Sequence, residues 1–302
     1  MAASRLLLAA PVGLVLLAGL GTLASGSPLE GAPGCGLFPP SNPWNQRVDS
    51  LPVASHSATF ISSMGASGSL HADFTIPYTI VGKGQRTVPV SFFYRHESDP
   101  GPYPIPPEAP IEAGRDRHVI VVDRDGCRLF ELYKARSIAG GKRWRAGAGA
   151  TWSLRSNRLR PRTWTSADAA GLPILPGLAR FEEVQRGEID HAIRFTAEDP
   201  RRTFVYPARH SDGKSASRRL PPMGTRVRLK EGFDISGFPP QAQVILRALQ
   251  RYGMILADTG APWFISGAPS PGWNRDDLAS LDRVSGSDFE VVDTRSLPSP
   301  GR

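Results

Sequence analysis

The sequence predicts an all-β or β-dominated fold: a single-domain sandwich or distorted barrel with one main helix and long loops rich in proline and glycine. Three observations lead to this fold class. Short β-prone segments recur along the chain, one segment has a convincing helical period, and 31 glycines and 29 prolines interrupt the 302 residues. A chain of this length can bury a sizeable core.

The main helix is predicted at about residues 240–252. Prolines precede it, Val244 and Leu249 fit one apolar face, and Gly253 follows its last turn. A shorter helix is predicted at 57–64, before Gly65.

The clearest hairpin is predicted from two β-prone runs, residues 118–123 and 128–133. Asp125 and Gly126 lie between them and are typical of a tight turn. Further strands are predicted at 78–81, 88–94, 225–230, 254–258, 263–266 and 289–292.

A second hairpin is predicted at residues 187–210. Apolar and polar side chains alternate from Ile189 to Phe195, which is typical of a half-buried strand, and β-prone residues resume at 203–206. This stretch holds two histidines, an aspartate, a tyrosine and several arginines, so it is the segment richest in groups that could do chemistry.

The N-terminus is typical of an exported protein. Arg5 precedes an apolar run at 6–23, and Ala-Ser-Gly follows at 24–26 as a plausible cleavage site. An uncleaved membrane anchor is the alternative. We therefore predict a secreted, extracellular protein organised as a signal peptide (1–26), an extended N-terminal arm (27–58), a single β-rich domain (59–295) and a disordered tail (296–302).

The two cysteines, Cys35 and Cys127, are most simply a disulfide in an exported protein. Two free thiols are the alternative.

The positive charge is concentrated in the middle of the chain. Residues 143–230 contain 18 Lys and Arg against 8 Asp and Glu, a net charge of +10, whereas the whole chain carries +8. Nearly all of these cations are arginine, whose planar fork suits carboxylate, sulfate and phosphate groups. An anionic polysaccharide or cell-wall polymer is the predicted partner, and no nucleic acid is expected. A solvated basic surface is the alternative.

The second hairpin supplies the candidate catalytic groups. Imidazole paired with a carboxyl group or a phenol can do acid–base chemistry near neutral pH. The candidate bases are His191 and His210, the candidate acids are Asp190 and Tyr206, and the candidate substrate-binding cations are Arg194 and Arg209. Histidines that only pack against neighbouring strands are the alternative.

Tryptophans in polar, Gly- and Pro-rich surroundings are candidate platforms for sugar rings: Trp152, Trp164 and Trp263. Buried loop anchors would give the same sequence pattern.

Metal and cofactor motifs are weak, and we predict neither. His71 and Asp73 have the His-x-Asp spacing of iron(II) oxygenases, with His118 as a possible third ligand. Loop residues or cleft-lining residues are the alternative reading of this pair. Asp258 begins an Asp-Thr-Gly triplet like that of aspartic proteases, but the sequence has no second such triplet.

Several runs resemble a family of exported bacterial proteins, many of them actinobacterial. The resemblance extends over nearly the whole chain after residue 26. It implies a secreted single domain, but no activity, ligand or catalytic residue is established for that family. The runs are Asn-Pro-Trp-Asn-Gln (42–46), Asp-Arg-His-Val (116–119), the Trp-Thr-Ser-Ala-Asp run (164–177), Ile-Asp-His-Ala-Ile-Arg-Phe (189–195) and Tyr-Gly-Met-Ile-Leu-Ala-Asp (252–258).

Three functions remain open from the sequence. The first is a secreted lyase or hydrolase that acts on an anionic or cell-wall polysaccharide by His/Tyr/Arg acid–base chemistry. The second is a non-catalytic carbohydrate- or cell-surface-binding module. The third and weakest is an iron(II), 2-oxoacid-dependent oxygenase. A monomer with no membrane attachment after signal cleavage is expected in each case.

Overall fold

The structure, a computed structural model, describes Gly26 and residues 28–300. The predicted signal peptide therefore lies outside the described residues, apart from Gly26. Within the described residues, no helix has the length and apolar character needed to span a membrane.

Strands dominate the described chain, which confirms the predicted fold class. Four short α-helices are present: α1 (Ser57–Ser63), α2 (Phe181–Arg186), α3 (Pro240–Arg251) and α4 (Arg275–Ala279). The strands are β1 (Pro28–Leu29), β2 (Ala32–Gly36), β3 (His71–Asp73), β4 (Tyr78–Val81), β5 (Val90–Phe92), β6 (Val119–Asp123), β7 (Arg128–Tyr133), β8 (Arg136–Ile138), β9 (Arg143–Ala146), β10 (Ala148–Ser153), β11 (Ile193–Ala197), β12 (Arg201–Phe204), β13 (Pro222–Met223), β14 (Arg226–Leu229), β15 (Met254–Thr259), β16 (Phe264–Ser266) and β17 (Phe289–Val291).

The strands of the described chain form several open sheets. The largest has the order β17-β14-β15-β11-β16-β3, and the next has the order β10-β7-β6-β4. A three-stranded sheet has the order β5-β9-β8, and the pairs β1-β2 and β12-β13 are separate. Each sheet keeps two edge strands, so the arrangement matches the sandwich alternative better than the distorted barrel.

The four-stranded sheet is buried on both faces. In β6, Val119 and Val121 pack into one apolar cluster with Trp144 of β9, whereas Ile120 and Val122 pack into another cluster with the N-terminal arm. This alternation follows from the two-residue period of a strand. The sheet is thus the middle layer between the three-stranded sheet and the arm.

The predicted 118–133 hairpin is confirmed as β6 and β7, with Val119 opposite Leu132 and Asp123 opposite Arg128. The predicted disulfide is also confirmed, because Cys35 and Cys127 are bonded and leave no free cysteine in the described chain. It ties the arm to the turn of this hairpin.

The second predicted hairpin is wrong. β11 pairs in parallel with β15 and antiparallel with β16, and β12 pairs in parallel with β13. These partners come later in the sequence, and they place β11 in the interior of the six-stranded sheet. Four of its five residues are buried, including Arg194.

The arm and the C-terminal segment both pack on the body of the protein. Trp44 is 2% exposed and belongs to the largest apolar cluster. Near the other end, in the predicted tail, the carbonyl oxygen of Pro298 accepts a hydrogen bond from Gln46 and that of Pro300 accepts one from Tyr206.

Candidate functional site

A cavity of about 760 Å³ lies where the end of β12 approaches the start of α1 and the C-terminal segment. Its aromatic wall consists of Phe60, Phe204 and Tyr206. Its charged and titratable lining consists of His56, Arg162, Arg209, Arg226, Asp293 and Arg295. We call this the arginine cavity.

Arg162 and Arg209 line the cavity, and neither has an acidic partner among the described residues. The Arg162 guanidinium lies 4.6 Å from the Phe204 ring centroid, which is a cation–π contact. Arg209 donates from Nε to the carbonyl oxygen of Arg160 at 2.9 Å. Burial and the nearby charge of Arg162 lower the pKa of Arg209. Like charges are therefore held together here, which favours an anion between them.

Arg226 forms the inner wall of the cavity. It is 5% exposed, and its guanidinium donates to the carbonyl oxygens of Tyr252, Pro43 and Gln46. Burial lowers its pKa to about 9. Because its donors are occupied by the backbone, Arg226 holds the arm in place and adds positive potential to the cavity.

The outer rim carries the cavity's acidic group. Arg295 donates to both carboxylate oxygens of Asp293, and this hydrogen bonding lowers the pKa of Asp293 to about 2. Four arginines and one ionised carboxylate therefore line the cavity, which makes it strongly cationic.

Two of the predicted site residues lie in this cavity, namely Tyr206 and Arg209. Tyr206 donates its hydroxyl hydrogen to the Pro300 carbonyl oxygen at 3.2 Å. The cavity also contains residues that the sequence did not single out. These are His56, which is exposed and has its ring centroid 4.3 Å from that of Phe60, and Arg162.

Arg194, predicted to bind substrate, is a buried structural cation. It donates to Asp168 at 2.8 Å, to Asp258 at 3.0 Å and to Ser266 at 2.6 Å. Its side chain is 4% exposed and faces two carboxylates, so it does not offer a free guanidinium to a ligand. Arg194 is buried because β11 is covered on both faces.

Asp168, Arg194, Asp258 and Ser266 form what we call the buried acid–arginine network. Asp168 is fully buried and the Asp258 side chain is 22% exposed. Burial and the neighbouring charge of Asp168 raise the pKa of Asp258 to about 8. One proton is therefore retained near neutral pH, and the network balances its single guanidinium with one negative charge.

The histidines predicted as bases lie elsewhere. His191 is 3% exposed, and its ring nitrogens contact the Ala192 carbonyl oxygen at 2.8 Å and Glu183 at 3.1 Å. His210 is half-buried, with Nδ1 2.7 Å from the Ala169 carbonyl oxygen. Neither lines the arginine cavity, and neither does Asp190. The predicted set of acids and bases is therefore not brought together.

The metal-ligand candidates are also separated. His71 pairs with Asp282 at 2.8 Å, whereas His118 is buried with Nδ1 2.6 Å from Glu112 and Nε2 3.0 Å from the Ala167 carbonyl oxygen. Asp73 accepts from Thr75. No group of three or more potential ligands that could hold a metal ion occurs among the described residues.

Of the three tryptophans, two are buried and one is half-buried. Trp263 is 1% exposed, stacks between Phe195 and Phe289, and donates to the Gly65 carbonyl oxygen at 2.8 Å. Trp152 is 7% exposed and Trp164 is half-buried. The Arg160 guanidinium covers one face of each ring, 5.7 Å and 5.6 Å from their centroids.

Comparison with known proteins adds no assignment: no protein-family model matches this chain, and neither curated proteins nor solved structures gave a match.

Proposed function

We propose that the protein binds an acidic polysaccharide in the arginine cavity and that it does so outside the cell. The observation that carries the proposal is the pairing of Arg162 with Arg209 beside Phe204 and Tyr206, without an acidic partner. Guanidinium groups recognise carboxylate or sulfate, and aromatic faces pack against sugar rings.

The two alternatives are a binding module and an enzyme that uses the predicted histidines as bases. The positions of the predicted residues favour the binding module. The bases His191 and His210 are outside the cavity, whereas the cation Arg209 and the aromatic Tyr206 are inside it. The binding alternative therefore has the stronger support. Export is proposed from the N-terminal sequence and is compatible with the disulfide. The monomeric state and the absence of a nucleic-acid partner stay predictions.

The proposal is tested by titrating oligogalacturonate into the protein in a calorimeter. We expect the double variant R162Q/R209Q to weaken binding by about tenfold or more, because charge-assisted hydrogen bonds of roughly 1.5–3 kcal/mol are lost. Binding to the unmodified protein should also weaken as salt is added.

The matched control is R136Q/R143Q, which removes the same charge from exposed positions on β8 and β9. Equal loss in both double variants would mean that net charge, rather than the cavity, holds the ligand. Absence of binding to oligogalacturonate, alginate and sulfated glycans alike would refute the proposal.

A further inference from the structure

The arginine cavity brings an imidazole, a phenol and two unpaired guanidiniums into one lining, through His56, Tyr206, Arg162 and Arg209. An imidazole can accept a proton near neutral pH, and a phenol can donate one in the transition state. A guanidinium can neutralise a carboxylate. Together these are the groups that chain cleavage by β-elimination from a uronate requires.

We propose that the cavity cleaves acidic polysaccharides by β-elimination, with His56 as the base, Tyr206 as the acid, and Arg162 and Arg209 neutralising the uronate carboxylate. This inference rests on the proposed function and adds a reaction to it. It moves the proton-abstracting role from the histidines predicted in the sequence to one that lies in the cavity.

The reaction balances without a co-reactant. The C5–H bond of the uronate breaks and its proton goes to the His56 imidazole, while the electron pair forms a C4–C5 double bond. The C4–O bond breaks, and the leaving oxygen takes the proton of the Tyr206 hydroxyl. Transfer of the proton from imidazolium to tyrosinate through solvent restores both groups.

The arginine pair makes this proton abstraction feasible. Removing the proton at C5 places negative charge next to the carboxylate, and neutralisation of that carboxylate lowers the cost of the developing charge. Burial and the positive charge of Arg162 disfavour the charged form of Arg209. A carboxylate bound between the two guanidiniums would relieve the repulsion between them.

His56 is positioned to reach a ligand in the cavity. It directly precedes α1, its side chain is exposed, and its ring packs 4.3 Å from that of Phe60. Asp293, from the C-terminal segment, lines the same cavity. The base is therefore exposed and lines the same cavity as the arginine pair.

Tyr206 presents its hydroxyl as a hydrogen-bond donor. Its acceptor is the Pro300 carbonyl oxygen at 3.2 Å. A glycosidic oxygen entering the cavity would replace this carbonyl as the acceptor. The same hydroxyl hydrogen would then be aimed at the leaving group.

The test uses the full mature chain with polygalacturonate, alginate and hyaluronate as probes. Elimination creates an unsaturated uronate, which absorbs in the ultraviolet, whereas hydrolysis creates reducing ends without this absorbance. We expect absorbance to rise with at least one probe. We expect H56Q and Y206F to lower the rate by about 100-fold or more, with ligand binding retained. The matched control H96Q, an exposed histidine outside the cavity, should keep the wild-type rate.

Each contrary result has a distinct meaning. Binding without unsaturated product overturns the elimination and leaves the proposed function standing. Reducing ends without ultraviolet absorbance also overturn it, in favour of hydrolysis. Loss of rate in H210Q but not in H56Q would show that the assignment of the base is wrong. Failure of every probe to bind refutes the proposed function and the elimination together.

Discussion

Arginines serve opposite purposes in the arginine cavity and in the buried acid–arginine network. In the network, one guanidinium lies between Asp168 and Asp258 and is 4% exposed. In the cavity, Arg162 and Arg209 lie close together beside an aromatic ring, and neither has an acidic partner among the described residues. The difference shows that the arginine-rich composition does not by itself locate a binding site. A binding site is indicated instead by arginines that have no acidic partner among the described residues.

Arg194→Met is expected to have the largest effect on stability, because it removes the cation of the buried acid–arginine network. This change leaves two carboxyl groups without their cation in a site where Asp168 is fully buried. Breaking a buried ion pair from one side typically costs about 3–5 kcal/mol, so we expect the free energy of unfolding to fall by about that amount in urea titration. A loss below about 1 kcal/mol would mean that the network is not structural.

Arg226→Met should have an intermediate effect. The residue lines the cavity but donates to three backbone carbonyl oxygens of the described chain. Removing these donors leaves buried acceptors unsatisfied, and we expect a loss of about 1–3 kcal/mol in the same urea titration. If Arg226→Met instead abolished ligand binding without loss of stability, Arg226 would belong to the ligand contacts.

The pH dependence of the free energy of unfolding tests whether Asp258 of the network is protonated. The folded-state pKa of Asp258 is raised to about 8 from the ordinary aspartate value of 3.8. The folded protein therefore binds this proton more tightly than the unfolded chain does. The stability that this proton contributes is fully present below pH ~4 and is lost as the pH rises through ~8. One proton corresponds to a slope of about 1.4 kcal/mol per pH unit at most.

Asp258→Asn should flatten this dependence, because an amide keeps a hydrogen-bond donor at every pH. The measurement is the free energy of unfolding between pH 4 and 8, compared with wild type. Part of the slope should remain, since burial raises the pKa of Glu131 to about 7. An unchanged slope in Asp258→Asn would place the titrating group elsewhere.

The smallest expected effect on stability is that of R162Q/R209Q. Both side chains give the fold few contacts, so we expect a change of about 0.5 kcal/mol or less, measured by thermal and urea unfolding. A slight gain is consistent with relief of repulsion between the two guanidiniums. A loss as large as that of Arg194→Met would show that these cations are structural and would remove the contrast between the two regions.

The sequence predicted those parts of the fold whose partners are close in the chain. The β6–β7 hairpin and α3 follow from local period and turn chemistry. The 187–210 hairpin was wrong because β11 finds its partners at β15 and β16, and parallel pairing over such separations leaves no local pattern. The predicted hairpin made this strand half-buried, with Arg194 among its polar residues. In the structure β11 is an interior strand, and Arg194 is buried.

Only those residues of the candidate site that lie within one segment were predicted from the sequence. Tyr206 and Arg209 belong to the chemically rich segment and do lie in the cavity. His56 and Arg162 come from distant segments that the fold brings to the same cavity. Arg162 stands in the basic middle region and could have been found by its excess charge. His56 had no comparable signal, because nothing local marks the start of α1 as a cavity rim.

The hydrogen bonds between the N-terminal arm and β14 have a consequence for the order in which the chain is synthesised. Arg226 and Arg228 of β14 donate to carbonyl oxygens of Gln46 and Val48, about 180 residues earlier. An emerging chain therefore produces the arm long before the arginines that hold it. The disulfide partner, Cys127, emerges sooner. Both cysteines are thus present before the arginines of β14 are made, so a bond between them can tether the arm to the β6–β7 hairpin before the six-stranded sheet is complete.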